Sequence, residues 1–256
     1  MKQILPTLLV DNSNTRTKFA LAADGQRGFS SVRTLATAEI SCAAVKHLLR
    51  DWEYGRVCIC SVVPAAGELL QKAFSGKPLS RVRTELAPDL FAGYPGVETL
   101  GEDRVANVLA VADTPFLPTV VVDMGTAVTF DVVRAGPRFA GGIIAPGLRM
   151  MAEALHGCTA QLPIVEVGEA PAATMVGGTT EEAMRSGVWL AFCGMVRETL
   201  LAIAQELGTR PRAVATGGNA AAAAACIREL DCVDELLTLR GIARAAALSS
   251  QFFAGS

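Results

Sequence analysis

The sequence predicts an α/β protein with mixed sheets, built as two related halves. Three observations carry that expectation. Thr119 to Asp131 reads T-V-V-V-D-M-G-T-A-V-T-F-D, in which four β-branched residues run into Asp123, Gly125-Thr126 follow, and Val128-Thr129-Phe130 leads to Asp131. A short apolar run bounded by turn residues suits a buried strand, so this stretch is strand, tight turn, strand. Leu8 to Phe19 (L-L-V-D-N-S-N-T-R-T-K-F) echoes it, with Asp11 ending the apolar run and Asn14-Thr15 behind it. Strand-like and helix-like segments then mix along the whole chain, with no linker or low-complexity tail. The echo suggests two related halves, 1–115 and 116–256, closing on one cleft.

The elements follow in order. The first hairpin is expected at Ile4–Val10 and Thr17–Ala22. Thr37 to Leu49 reads as a helix carrying Ala44, Val45, Leu48 and Leu49, and Val57 to Val63 as a buried strand stopped by Pro64. Ala66 to Phe74 resembles a helix, and Ser80 to Leu86 alternates like a strand. Gly101-Glu102-Asp103-Arg104 opens an amphipathic helix with Val105, Val108, Leu109 and Ala112 on one face. Phe139 to Gly147 (F-A-G-G-I-I-A-P-G) joins a strand to a helix from Leu148 to His156, its glycines permitting close backbone approach. Thr179 and Glu182 have capping-box spacing for a long helix to Leu207, stopped by Gly208. That helix is apolar on every face in its middle, which calls for burial inside the domain or against a second subunit. Ala213 to Thr216 is a strand delivering Gly217-Gly218 to an alanine-rich helix, and a last helix runs from Ile242 to Gln251.

Composition excludes several classes. The chain has 256 residues, of which 51% are hydrophobic and 19% charged, enough for a large core and too apolar for disorder. A net charge of −2 without a long run of one sign leaves no basic footprint for nucleic acid. Seven scattered cysteines form no C-x-x-C pair, which suits reduced thiols in the cytoplasm. With two histidines, a zinc site has few ligands. Ile4 to Val10 contains Pro6 and runs into an acid, unlike a signal peptide. The longest apolar run, Gly187 to Val196, is too short for a bilayer, so a soluble protein with no membrane partner is expected.

Two places carry chemistry. At each hairpin turn, backbone N–H groups and hydroxyls suit phosphate oxygens and the carboxylate suits a cation. An ordinary hairpin, with Asp and Gly making the turn, is the plain alternative. At the Gly101 helix start, acids favour the helix dipole, so Asp103 has a structural reading. An Asp-Arg pair there could equally hold a substrate hydroxyl and an anionic group.

Nine motifs, taken in order, resemble the bacterial type III pantothenate kinases. They are Asp11 to Lys18, Ser61-Val62-Val63-Pro64, Tyr94, Gly101-x-Asp103-Arg104, Asp123-x-Gly125-Thr126-Ala127-x-Thr129, Gly141-Gly142-x-Ile144-x-Pro146-Gly147, Thr159-Ala160-x-Leu162-Pro163, Thr180, and Thr216-Gly217-Gly218. The resemblance covers nearly the whole chain. It implies an actin-like ATPase fold of two ribonuclease-H-like halves around an ATP cleft, and phosphorylation of pantothenate to 4'-phosphopantothenate, the first step of coenzyme A biosynthesis. By that resemblance Asp11, Asn12, Ser13, Asn14, Thr15, Arg16, Thr17 and Lys18 form the first phosphate loop, with Asp11 near magnesium, and Thr126 contacts ATP. Asp103 is the general base. Tyr94 and the stretch Gly101, Glu102, Asp103 and Arg104 hold pantothenate. Asp123 binds a monovalent cation, potassium or ammonium. Thr180 reaches the substrate of a neighbouring subunit, implying a homodimer with shared sites.

Three departures stand out. Ser13 replaces a glycine of the first loop, Gly96-Val97 replaces Asn-Pro after Tyr94, and Thr179 replaces Asn before Thr180. A weakly active or non-catalytic ligand-binding or regulatory relative is the alternative function, and another kinase of the superfamily a further one.

Overall fold

A computed structural model describes residues 5–23, 29–168 and 175–254. The chain divides into two compact units, each around its own five-stranded sheet.

The first unit contains β1 (Thr7–Asn12), β2 (Arg16–Ala22), β3 (Phe29–Ala36), α1 (Cys42–Leu48), β4 (Arg56–Ser61), α2 (Pro64–Ala73), β5 (Leu79–Arg81), α3 (Pro88–Phe91) and α4 (Glu102–Ala112). Its sheet runs β3-β2-β1-β4-β5, with β1–β2 and β2–β3 antiparallel and β1–β4 and β4–β5 parallel. Every residue of β1 is buried, as a central strand covered on both faces requires. Leu8 and Val10 join Phe19, Ile59, Val45, Leu70 and Phe74 in one core cluster beneath α1 and α2. Helix α1 starts at Cys42 because Ser41 is its cap, accepting from the Ala44 N–H at 3.1 Å. Helix α2 starts on Pro64, whose missing N–H costs nothing at a first helical position.

The second unit contains β6 (Thr119–Met124), β7 (Ala127–Arg134), β8 (Arg138–Pro146), α5 (Leu148–Gly157), α6 (Thr180–Leu207), β9 (Arg212–Thr216), α7 (Ala220–Ala224) and β10 (Cys232–Val233). Its order, β8-β7-β6-β9-β10, repeats the first sheet strand for strand. Helix α6 contributes Met184, Val188, Trp189, Phe192, Val196, Leu200 and Ile203 to the core. Its Thr179 cap accepts from the Glu182 N–H at 3.2 Å, and Gly208 closes it in the left-handed region at φ 66°. The ten-residue run expected to be too short for a bilayer lies within α6, which by length and composition is long and apolar enough to cross one; 39% of its most apolar window is buried in the fold.

The last helix, α8 (Leu237–Ala254), returns to the first unit, as do Gly136–Phe139, the end of the β7–β8 connection and the first two residues of β8. The division at 115/116 therefore differs from the packing at these two places. Three contacts explain the return of α8. Thr238 donates to Asn107 Oδ1 at 2.9 Å, Arg244 pairs with Asp113 at 2.8 Å, and Gly241 lies so close to α4 that a Cβ would overlap the Ala106 carbonyl.

Other boundaries also move. Ile4 lies outside the described residues. The strand expected at Ser80–Leu86 is only Leu79–Arg81, with Thr84–Leu86 a 3-10 turn, and the β4 strand ends at Ser61. Phe139–Gly147 is mostly strand β8 rather than a linking segment, and α8 begins five residues before Ile242. All seven cysteines are free thiols, with Cys58 and Cys60 buried.

Candidate active site

The duplication extends to register. Asp11 is the fifth residue of β1 and pairs with Lys18, the third of β2; Asp123 is the fifth of β6 and pairs with Thr129, the third of β7. Their parallel partners are Cys60 on β4 and Thr216 on β9. Each acid thus sits at the carboxyl end of its central strand, where open α/β sheets bind ligands.

The first turn is held by side chains. Asn12 donates to Thr17 Oγ1 at 2.7 Å and accepts from Ser61 Oγ at 2.7 Å. Thr37 donates to the Ser13 carbonyl at 2.7 Å and its N–H to the Thr15 carbonyl at 3.0 Å. Asn14, Thr15 and Arg16 stay exposed at the tip, and Lys18 is half-buried. Ser13 occupies its glycine-like place without a positive φ, and both its hydroxyl and its N–H donate to the Arg16 carbonyl.

Close by lies the start of α4. Glu102 accepts from the Ser61 N–H and from Arg81 Nε, both at 2.8 Å, so both its oxygens are engaged. Asp103 accepts from the Arg104 N–H at 2.8 Å. Burial holds the Asp103 carboxyl above the usual carboxylate range, against the lowering pull of that N–H and the Arg104 charge. A Cβ on Gly101 would lie 2.7 Å from Asp103 Oδ1, so only glycine leaves the carboxylate its place. After burial, the negative charges of Asp11, Asp103 and Glu102 push the buried Cys60 thiol well above the ordinary range.

Tyr94 and Arg104 are brought together by Phe139, which sequence reasoning did not single out. The Tyr94 ring meets it edge-on at 4.8 Å, and the Arg104 guanidinium lies 5.9 Å from its centroid. Phe91 flanks the same ring at 5.8 Å. The only signal was its position at the head of F-A-G-G-I-I-A-P-G. Gly96 lies against Tyr94, since a Cβ there would be 3.2 Å from the ring.

The second turn is held by glycines. A Cβ on Gly147 would lie 2.4 Å from the Thr126 carbonyl, and one on Gly217 2.6 Å from Asp123 Oδ1. Gly147 donates to the Thr126 carbonyl at 3.2 Å, and Asn219 to that of Met124 at 3.1 Å. Thr180 is exposed at the first residue of α6, in an open hollow with Gln161, Pro163, Thr179 and Glu181. Thr179 caps the helix, a task asparagine performs equally well.

The duplicated five-stranded sheet, with an acid at the end of each central strand, has the actin-like ATPase fold. Comparison with known structures agrees on the fold. A Campylobacter jejuni protein described as a Baf family transcriptional activator superposes with a TM-score of 0.59 at 20% identity, covering 95% of this chain and 99% of that one. A glucokinase from an Antarctic psychrotroph does so with a TM-score of 0.51 at 14% identity, covering 94% and 98%. The family model for type III pantothenate kinase matches residues 7–202. A type III pantothenate kinase from Akkermansia muciniphila is 39% identical over 242 residues, 94% of this chain and 98% of the relative. The chain belongs to the type III pantothenate kinase family.

Proposed function

We propose that this chain transfers the γ-phosphoryl group of ATP to the primary hydroxyl of pantothenate, giving 4'-phosphopantothenate at the start of coenzyme A biosynthesis. The observation that carries the reading is that the Asp11 strand end and the α4 start bearing Asp103 both meet the end of β4, at Cys60 and Ser61, in a chain of this family. The hydroxyl oxygen attacks the γ-phosphorus as the bond to the leaving ADP oxygen breaks, and the hydroxyl proton passes to Asp103. Burial of Asp103 raises its basicity, which favours this role. Arg104 and Tyr94 hold pantothenate, the guanidinium serving its carboxylate or amide oxygens.

The first loop, Asp11 to Lys18, takes ATP phosphates, and Thr126 supplies a nucleotide contact. Asp11 suits magnesium, which binds through one or two carboxylates plus phosphate and water oxygens rather than a full protein cage. Bound magnesium neutralises charge developing on the phosphate oxygens. Asp123, whose carboxylate lies against Gly217, suits potassium or ammonium.

A homodimer completes the reading, with Thr180 of each chain serving the other's pantothenate. Its support is the exposed apolar surface of the second unit, including Ile144, Met150, Leu155, Leu190 and Leu201. The cytoplasm suits seven free thiols.

A coupled assay with ATP, magnesium and pantothenate tests the function. Turnover should need potassium or ammonium, and a bulky organic cation that supports equal turnover would remove the Asp123 assignment. Mixing Asp103→Asn chains with Thr180→Arg chains, each inactive alone, should restore activity. No recovery after verified subunit exchange would refute the shared site.

A further inference from the structure

We propose that Thr37 and Glu102 are the two ends of one hydrogen-bonded strut that sets the distance between the acceptor-side helix and the phosphate loop. The inference rests on the kinase reading above and adds residues to it. Glu102 immediately precedes Asp103 in the first turn of α4 and is anchored on Arg81. From Glu102 the path runs to the Ser61 N–H at 2.8 Å, through the Ser61 residue to its hydroxyl, and on to Asn12 Oδ1 at 2.7 Å. The Asn12 amide continues to Thr17 at 2.7 Å, Thr17 to Thr37 at 3.1 Å, and Thr37 to the Ser13 carbonyl at 2.7 Å.

The donors can be assigned in one consistent direction. The Ser13 carbonyl only accepts, so the Thr37 hydrogen is committed to it and Thr17 must donate to Thr37. Thr17 therefore accepts from the amide nitrogen of Asn12, which turns Asn12 Oδ1 to the Ser61 hydroxyl. Asn12, Thr17, Thr37 and Ser61 are all buried, so water offers no ready substitute for a lost partner. Thr37 also grips the loop twice, at Ser13 through its hydroxyl and at Thr15 through its N–H.

Thr37 and Glu102 are positioning residues, acting through the loop and through Asp103. Phosphoryl transfer depends on alignment, and misplacement by 1 Å can cost about 10²-fold in rate. Loosening either end should therefore lower kcat more than it weakens binding.

The test uses the full chain with Thr37→Val, which keeps shape and removes the hydroxyl, Thr37→Ser, Glu102→Gln and the double variant Thr37→Val/Glu102→Gln. Each of Thr37→Val and Glu102→Gln should lower kcat about 10- to 100-fold, with KM for ATP and pantothenate within about two-fold of wild type. Thr37→Ser should restore turnover, and the double variant should lose no more than the worse single one, as parts of one unit do. Wild-type kcat in Thr37→Val, multiplied losses in the double variant, or a serine variant as slow as valine would each overturn the strut. If Thr37→Val does not fold, Ser61→Ala breaks the middle and enters the same cycle with Glu102→Gln. A wild-type chain that does not phosphorylate pantothenate would instead refute the kinase reading, so the two failures are distinct.

Discussion

The β1–β2 and β6–β7 turns occupy the same place in two sheets of the same topology, yet they are fixed by opposite means. At corresponding positions the first has Asn12 opposite Thr17 and the second Met124 opposite Val128, all four buried. The first pair is the hub of a polar network. The second belongs to the apolar core, and its turn is clamped by the backbones at Gly147 and Gly217. A directional network suits a loop whose distance from Asp103 must be set. Glycine packing suits a turn whose backbone approaches its neighbours closely. One hairpin topology is thus fixed by two kinds of contact through a change of a few residues.

The contrast can be broken most strongly at Gly147. Its φ of −79° suits any residue, so Gly147→Ala tests close approach alone. The added Cβ would meet two carbonyls, and the expected loss is about 1–3 kcal/mol in urea unfolding, with slower turnover. An unchanged midpoint would show that the second turn is not clamped by packing.

A pH series on Asp103→Asn sharpens the first side. The Asp103 pKa is raised in the fold, so its favourable contribution is present when protonated and lost as pH rises through the folded value. Asparagine keeps the acceptor for the Arg104 N–H and has no such loss. The melting temperature of the variant relative to wild type should therefore climb from acidic to neutral pH. A difference flat across that range would contradict a desolvated carboxylate. The smallest effect is expected for Ser13→Gly. The Ser13 N–H still reaches the Arg16 carbonyl, so stability should change by about 1 kcal/mol or less. Thermal unfolding and kcat check it, and a large change in either would mean the serine hydroxyl itself shapes the loop.

The sequence made the duplicated strand–turn–strand legible because both copies keep an apolar run, an acid and a polar turn. Asp103 was legible because its glycine and arginine neighbours are adjacent in the chain. What stayed hidden was carried by distant pairing. Strand β3 is mostly exposed and carries little apolar pattern, and β10 has only two residues. Phe139 reaches Tyr94 and Arg104 only because the start of β8 belongs to the first unit, which no local periodicity encodes. Thr37 lies 25 residues from Asn12, and a lone threonine at a helix start shows nothing of its loop partner. Glu102 read as part of a substrate motif, whereas its oxygens are engaged by Ser61 and Arg81.

The most direct test is single-turnover phosphorylation of pantothenate by the wild-type chain beside Asp103→Asn, with ATP binding measured on both. The expected result is turnover in wild type, a loss of about 10²–10⁴-fold in the variant, and unchanged ATP affinity. Near wild-type turnover in Asp103→Asn, or none on pantothenate in wild type, would contradict the role of Asp103 or of the chain itself.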